Sequence, residues 1–368
     1  MSGDDTGRML AASLERILRE LGTPAVVRDA DLGGAGARAG AGEGDPSSIS
    51  ELLAALEAAG FHAALVDEAR GGAGLGWSDV AALLRACGNG AAPVALADTL
   101  GAQALARLAG SSLEPGWATF GAGRTGECDP GGGAANGVVV AGLATWRHAR
   151  TLVVSIRERA EDEAAIWKFA LPAGAKGCNL AGEPRATVRL DLAAGERLGT
   201  AGGGIDALHV GAAVRSAQLA GACARVVRLA ADYARDRVQF GRPIAAFQAI
   251  QHQLALAQEW ASMAAAASAL ALADRGVALD RHRVAAAKYV GAQAAQECAR
   301  VAHAVHGAIG VTAEYDLQLF TRRLWSWAAE FGSQTFWAER LGAELLASGS
   351  ARSWDQVVRH ASLADPAS

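Results

Sequence analysis

Apolar residues recur at helical spacing from the start of the chain. Leu10, Leu14, Ile17, Leu18 and Leu21 share one face, so residues 7–22 predict an amphipathic helix. Residues 33–47, rich in Gly, Ala, Asp, Pro and Ser, predict a loop. Ser48–Gly60 predicts a second helix, N-capped by Ser48 or Ser50 and closed by Gly60. The glycine-rich turn Gly71–Gly76 leads into further helices over Trp77–Cys87 and Leu96–Ala109. Residues 1–115 are therefore expected to form an all-α domain.

The period then shortens. Trp117–Phe120, Gly137–Ala141, Thr151–Ile156, Ala165–Leu171 and Thr187–Leu192 are short runs separated by Gly and Pro breaks. They predict a small antiparallel β-domain over 116–203. The glycine triplet at 202–204 reads as a hinge back to helix. From Ala207 to Ser348 the helical period returns, broken at Phe240–Pro243, Asp274–Asp280 and Gly307–Gly310. Long helices with short connections predict a C-terminal bundle over 204–368.

Composition narrows the class. The chain is 51% hydrophobic and 20% charged, which suits a large core. A net charge of −4 with no basic block argues against a nucleic-acid surface. The start MSGDDTGRML lacks the pattern of a secretory leader, and Met263–Ala273 is too short to span a bilayer. The expected location is cytoplasmic. Five scattered cysteines without CxxC or zinc spacing read as free thiols, and no metal is expected.

Two segments carry candidate chemistry. The first is YARDRVQFGRPIAAFQAIQH, Tyr233–His252; the second is VHGAIGVTAEYDLQLFTRR, Val305–Arg323. Arg237 offers a planar fork matched to pyrophosphate oxygens. Gly241 lets the chain turn where a Cβ would block a ligand. Gln248 can read an adenine or ribose edge, and Gly307 and Gly310 let backbone N–H groups approach an anion. Together these segments resemble the signatures of the acyl-CoA dehydrogenase family. DEARGGAGLG, Asp67–Gly76, is a weaker third likeness.

The resemblance implies that family's fold: an N-terminal all-α domain, a middle β-domain and a C-terminal four-helix bundle. It also implies FAD as cofactor, an acyl-CoA substrate, electron-transfer flavoprotein as electron partner, and a homo- or hetero-oligomer whose flavin sites are shared between subunits. By the same resemblance, Phe240, His306, Ser333 and Trp146 join Arg237, Gly241, Gln248, Gly307 and Gly310 at the cofactor.

The chain departs from the family where the chemistry is hardest. Desaturation needs a carboxylate base aimed at a weakly acidic C–H. Ungapped matching from Gly307–Arg322 places Phe331 at the family's base position, with Glu330 one residue early, about 100° away on a helix. Glu330 is the candidate base, weighed against a salt-bridged carboxylate. The alternative family position, on the first bundle helix, falls on Gly211, with His209 and Gln218 nearby. Asp206 reads as an N-cap. Ala304 stands where the family usually has Gln, and Thr125 is the one hydroxyl in residues 121–135. Trp146 reads equally as a flavin-stacking or a core residue. Arg322 and Arg323 read as phosphate contacts or as salt-bridge partners. Three readings follow: an acyl-CoA dehydrogenase chain, active itself or as half of a heteromer; a non-catalytic partner subunit; or a flavin monooxygenase or oxidase on the same scaffold.

Overall fold

The computed structural model describes residues 3–35, 47–125, 137–157, 162–172 and 177–347, with 354, 355, 358 and 360 beyond them. Most of the predicted 33–47 loop and of the 121–135 segment lies outside these residues.

Five α-helices come first: α1 (Gly3–Leu21), α2 (Pro24–Ala35), α3 (Ser47–Ala58), α4 (Trp77–Asn89) and α5 (Leu96–Leu108). The stripe of Leu14, Ile17 and Leu18 on α1 is buried against α3 and α4. Helix α2 went unpredicted, because Val26 and Val27 are its only strong apolar pair before a Gly-Gly.

Seven strands follow: β1 (Ala118–Thr125), β2 (Gly137–Ala144), β3 (Thr151–Arg157), β4 (Ala164–Ala170), β5 (Gly177–Cys178), β6 (Pro184–Asp191) and β7 (Glu196–Ala201). They form one sheet in the order β5-β6-β2-β1-β3-β4-β7. The expected antiparallel pairing holds at every neighbour except β1 and β3, which run parallel from Ala118 and Thr151 to Arg124 and Arg157. The reason is topological: β2 and β3 are consecutive, yet they flank β1 on opposite sides. One face of the sheet, including Val138, Val140 and Val154, forms a core of its own. The other face joins a larger core with α1, α3–α5 and the start of the next helix.

The bundle comprises α6 (Ala207–Asp236), α7 (Gln248–Ala271) and α8 (Arg281–His306), then α9 (Leu317–Ala329) and α10 (Gln334–Ala347). Asp206 caps α6, its carboxylate accepting from the His209 N–H at 3.1 Å. Asp280 caps α8 in the same way. Alanines and glycines at the contacts bring α6, α7 and α8 close together. The last segment, expected as one helix, breaks between α9 and α10. Phe331 and Gly332 there take positive φ values of 53° and 92°. That break positions the candidate base region.

Candidate functional site

Helices α6 and α8 each pack against α7 and run parallel, so their C-termini meet at one end of the bundle. Tyr233 on α6 stacks on His306 at the end of α8, with ring centroids 4.5 Å apart, and Tyr315 packs against both. The structure thereby brings the two recognition segments together. Arg237 ends α6, and its carbonyl accepts from the Ile244 N–H at 2.8 Å. A two-stranded hairpin, β8 (Val238–Gln239) and β9 (Arg242–Pro243), projects from it. Phe240 and Gly241 form its tip with φ of 53° and 76°. The Phe240 side chain is 92% exposed, an unusual state for a phenylalanine. Gln248 stands exposed at the start of α7.

The Gly307 and Gly310 loop continues this surface. Gly307 has φ 64° and open space where a Cβ would point. Gly310 is buried, and a Cβ there would come within 2.8 Å of the His306 Cβ, so its smallness serves packing. His306 Nδ1 lies 2.7 Å from the Ala302 carbonyl, so that nitrogen is the donor. Its Nε2 is buried and has no partner among the described residues. Burial lowers the His306 pKa and keeps the ring neutral at pH 7.

The base positions lie at the opposite end of the bundle. Gly211 and Arg237 are 26 residues apart on α6, roughly 39 Å at 1.5 Å per residue. The two positions kept as alternatives in the sequence meet here. The Phe331 ring lies directly over Gly211, where a Cβ would come within 2.2 Å of it. Phe331 also stacks on Phe120 at 5.3 Å, and Phe120 in turn fills the space that a Cβ on Gly101 would need. An aromatic stack therefore occupies the ground between α5, β1, α6 and the α9–α10 turn.

Glu330, the candidate base weighed against a salt-bridged carboxylate, adjoins Phe331 in that turn. It points away from that stack into a buried ionic network. Arg185 donates from Nε to Oε1 at 2.9 Å and from Nη2 to Oε2 at 3.1 Å. Arg215 donates from Nε to Oε2 at 2.8 Å, and Asn179 from Nδ2 to Oε1 at 3.0 Å. Burial opposes ionisation, but Arg185 and Arg215 outweigh it and hold the carboxyl below its usual range. A base for a weakly acidic C–H needs the reverse shift and a free lone pair. Glu330 is thus a structural anion.

The network continues in both directions. Arg215, only 3% exposed, also binds Asp98 at 3.0 Å. Asp98 accepts the Trp146 indole N–H at 2.9 Å, so Trp146, 8% exposed, is anchored in the core. Arg185 reaches Glu183, which also accepts from the Trp327 indole. Arg323 is fully buried and binds Asp31 of α2 at 2.8 Å, with Arg322 at 3.4 Å from the same carboxylate. These two arginines are salt-bridge partners.

Beneath the turn, the buried Lys288 Nζ donates to the carbonyls of Ala328 at 2.7 Å and Gly332 at 2.8 Å. Burial pulls its pKa down from 10.5 to about 7. Ser333 is exposed, and its hydroxyl accepts from the Phe336 N–H as a cap for α10. His209 is buried, with Nδ1 2.6 Å from Asp206 and its ring edge against Trp337. Among the described residues no group of three metal-ligating side chains converges.

The predicted site residues thus form two sets. Arg237, Phe240, Gly241, Gln248, His306, Gly307 and Gly310 share one end. Trp146, Glu330, Phe331 and Ser333 lie at the other. Arg215, Arg185, Asp98 and Lys288 were missed in the sequence. The available signal was a single charge inside an apolar helix face, as at Arg215 and Lys288.

Residues 204–345 match the family described as acyl-CoA dehydrogenase, C-terminal domain. Acyl-CoA dehydrogenase IpdE2 of Mycolicibacterium smegmatis is 35% identical over 135 residues, 36% of this chain and 42% of that protein. Acyl-CoA dehydrogenase FadE34 of Mycobacterium tuberculosis is 36% identical over a stretch covering 36% of this chain and 19% of that one. Over residues 204–345 the chain is similar to the acyl-CoA dehydrogenase family.

These sequence matches span less than half the length of either relative. The acyl-CoA dehydrogenase fold extends much further. A Tcur3481-Tcur3483 steroid ACAD variant superposes with a TM-score of 0.77 at 21% identity, covering 95% of this chain and all of that one. The ChsE4-ChsE5 complex of Mycobacterium tuberculosis gives 0.74 at 22% identity over 94% and 98%. No helix among the described residues is long and apolar enough to cross a membrane.

Proposed function

We propose that this chain is one subunit of an FAD-dependent acyl-CoA dehydrogenase assembly, that it contributes the Arg237 hairpin and the Gly307 loop to a flavin site completed by a sister chain, and that its own base position is blank. The observation that carries this reading is the Phe331 ring seated on Gly211 while the neighbouring Glu330 is consumed by two arginines. The distance of roughly 39 Å between that region and Arg237 supports a site shared between chains, since one chain's two ends cannot reach one cofactor's reacting ring together. The first two solved relatives are a steroid ACAD named as a Tcur3481-Tcur3483 pair and a ChsE4-ChsE5 complex, which supports a heteromer and a ring-bearing acyl-CoA thioester.

The residues at the Arg237 end fit an anionic dinucleotide. Arg237 is exposed at the end of α6, where the hairpin begins, and Gly241 and Gly307 have open space where a Cβ would point. In this reading Arg237 pairs with pyrophosphate oxygens, Gln248 with an adenine or ribose edge, and Phe240 packs its exposed ring on the cofactor or the partner. When bound, FAD supplies the hydride acceptor for α,β-desaturation of the thioester. The carboxylate that removes the α-proton comes from the sister chain, and electrons pass on to electron-transfer flavoprotein.

The test is the flavin content of the complex co-purified with a sister chain, for wild type and for Arg237→Ala. Losing a bidentate charge-assisted contact is expected to weaken retention on the order of tenfold to a hundredfold. Full flavin content in the Arg237→Ala complex would overturn the assignment.

A further inference from the structure

A cavity on the flank of the bundle is unaccounted for by the proposed function. It lies where the end of α1 and the start of α2 meet α4, α6 and α9, with a volume of about 280 Å³. Arg19, Arg225 and Arg228 line it, against the single acid Glu15. Leu18, Val27 and Phe320 give it an apolar wall.

The arginines lack the partners that arginines elsewhere in this protein have. Arg215 and Arg323 each hold carboxylates. Arg225, half-buried, has no hydrogen-bond or salt-bridge partner among the described residues. Its Nε is fully enclosed, and its guanidinium rests only on the Phe320 ring at 5.6 Å. Arg228 donates to the neutral Asn89 amide oxygen at 2.7 Å. Burial lowers the Arg225 pKa from its ordinary value and Arg228 lowers it further, while Asp316 and Asp232, neither of them hydrogen-bonded to it, act in the opposite direction.

Backbone ends of both signs face the cavity. Thr23, Pro24 and Val27, at the start of α2, form part of its lining and bring the positive end of that helix. The C-terminal turns of α1 and α4 also face the cavity; there Leu18 accepts from Gly22, Ala86 from Gly90, and Gly88 from Ala91. A half-buried guanidinium with no hydrogen-bonded anion, as at Arg225, carries a desolvation cost that a bound anion reduces.

We propose that this cavity is a binding site for a small phosphomonoester, its phosphate held by Arg225 with Arg19 and Arg228 and its organic part against Leu18, Val27 and Phe320. A phosphate alone is smaller than the space, and the apolar wall gives the organic part its place. The site is independent of the flavin assignment.

The test is isothermal titration of the full chain with adenosine 5′-monophosphate, inorganic phosphate and adenosine. Saturable binding of the monophosphate is expected, weaker binding of inorganic phosphate, and none of adenosine. Arg225→Met is expected to weaken monophosphate binding on the order of tenfold or more. Because that variant alters a half-buried position, the exposed Arg19→Gln is measured beside it and is expected to weaken binding severalfold. Equal binding of adenosine, no binding of either phosphate, or affinity unchanged in both variants would overturn the proposal.

Discussion

Replacing Glu330 with glutamine separates a structural carboxylate from a catalytic one. In the wild type, both carboxylate oxygens are bound by the guanidinium groups of Arg185 and Arg215 and by the Asn179 amide. Glutamine keeps one acceptor, but its amide N–H₂ faces donors. Breaking one side of a buried ion pair costs about 3–5 kcal/mol. The Glu330 side chain is 18% exposed, so the lower end, about 3 kcal/mol, is appropriate. At about 2–4 °C per kcal/mol, the midpoint should fall by about 6–12 °C. The loss depends on pH with a definite sign. The folded-state pKa is depressed, so the stabilisation is present above the ordinary value of 4.5 and disappears as pH falls through the folded-state value. The gap between wild type and variant should therefore narrow in acid. Differential scanning calorimetry across pH measures this, alongside desaturation by the complex with a sister chain. A variant with an unchanged midpoint and no desaturation would refute the structural assignment and restore Glu330 as a base.

Three further outcomes follow from the same region. Phe331→Gly should be more stable than Phe331→Ala by about 1 kcal/mol in urea unfolding, because both lose the stack but only glycine accepts φ 53° without strain. Gly211→Ala should be strongly destabilising alone, yet much less so in a Phe331→Gly background, because its Cβ would meet the Phe331 ring at 2.2 Å; additive effects in that double-mutant cycle would contradict the packing. Lys288 should make stability rise with pH between about 7 and 10.5, because the folded chain releases a proton that the unfolded chain retains. The slope from this group is at most about 1.4 kcal/mol per pH unit. Lys288→Met should remove that slope, which denaturant unfolding at several pH values would detect.

Local signals carried most of the fold. The α1 stripe, the helices α3 and α8, and the short apolar runs of β1–β4 and β6 follow from period and punctuation, although Ser48 and Ser50, expected to cap α3, lie inside it. What escaped reading depends on distant partners. Strand β7, ERLGTA, has little β-branched character, and it pairs with β4 through sheet position. The α9–α10 break lies in a segment whose apolar pattern continues across it, with Gly332 its only local sign. The two recognition segments were legible because each packs its chemistry into about twenty consecutive residues. The environment of Glu330 was not, since Arg215 and Arg185 lie 115 and 145 residues away in sequence. The sequence placed Phe331 and Gly211 at the two base positions as separate alternatives, and folding puts one on top of the other. Trp146 likewise gained its role only once Asp98 was seen to hold its indole.

The most direct test of the central claim is the visible absorption spectrum of the chain purified alone and then mixed with acyl-CoA thioesters, including a ring-bearing one. The account predicts no flavin band that bleaches on thioester addition, and the appearance of such bleaching only after a sister chain bearing a carboxylate base is supplied. A flavin-loaded chain that bleaches unaided would contradict it, and would mean that the Phe331 stack opens and that this chain carries a base of its own.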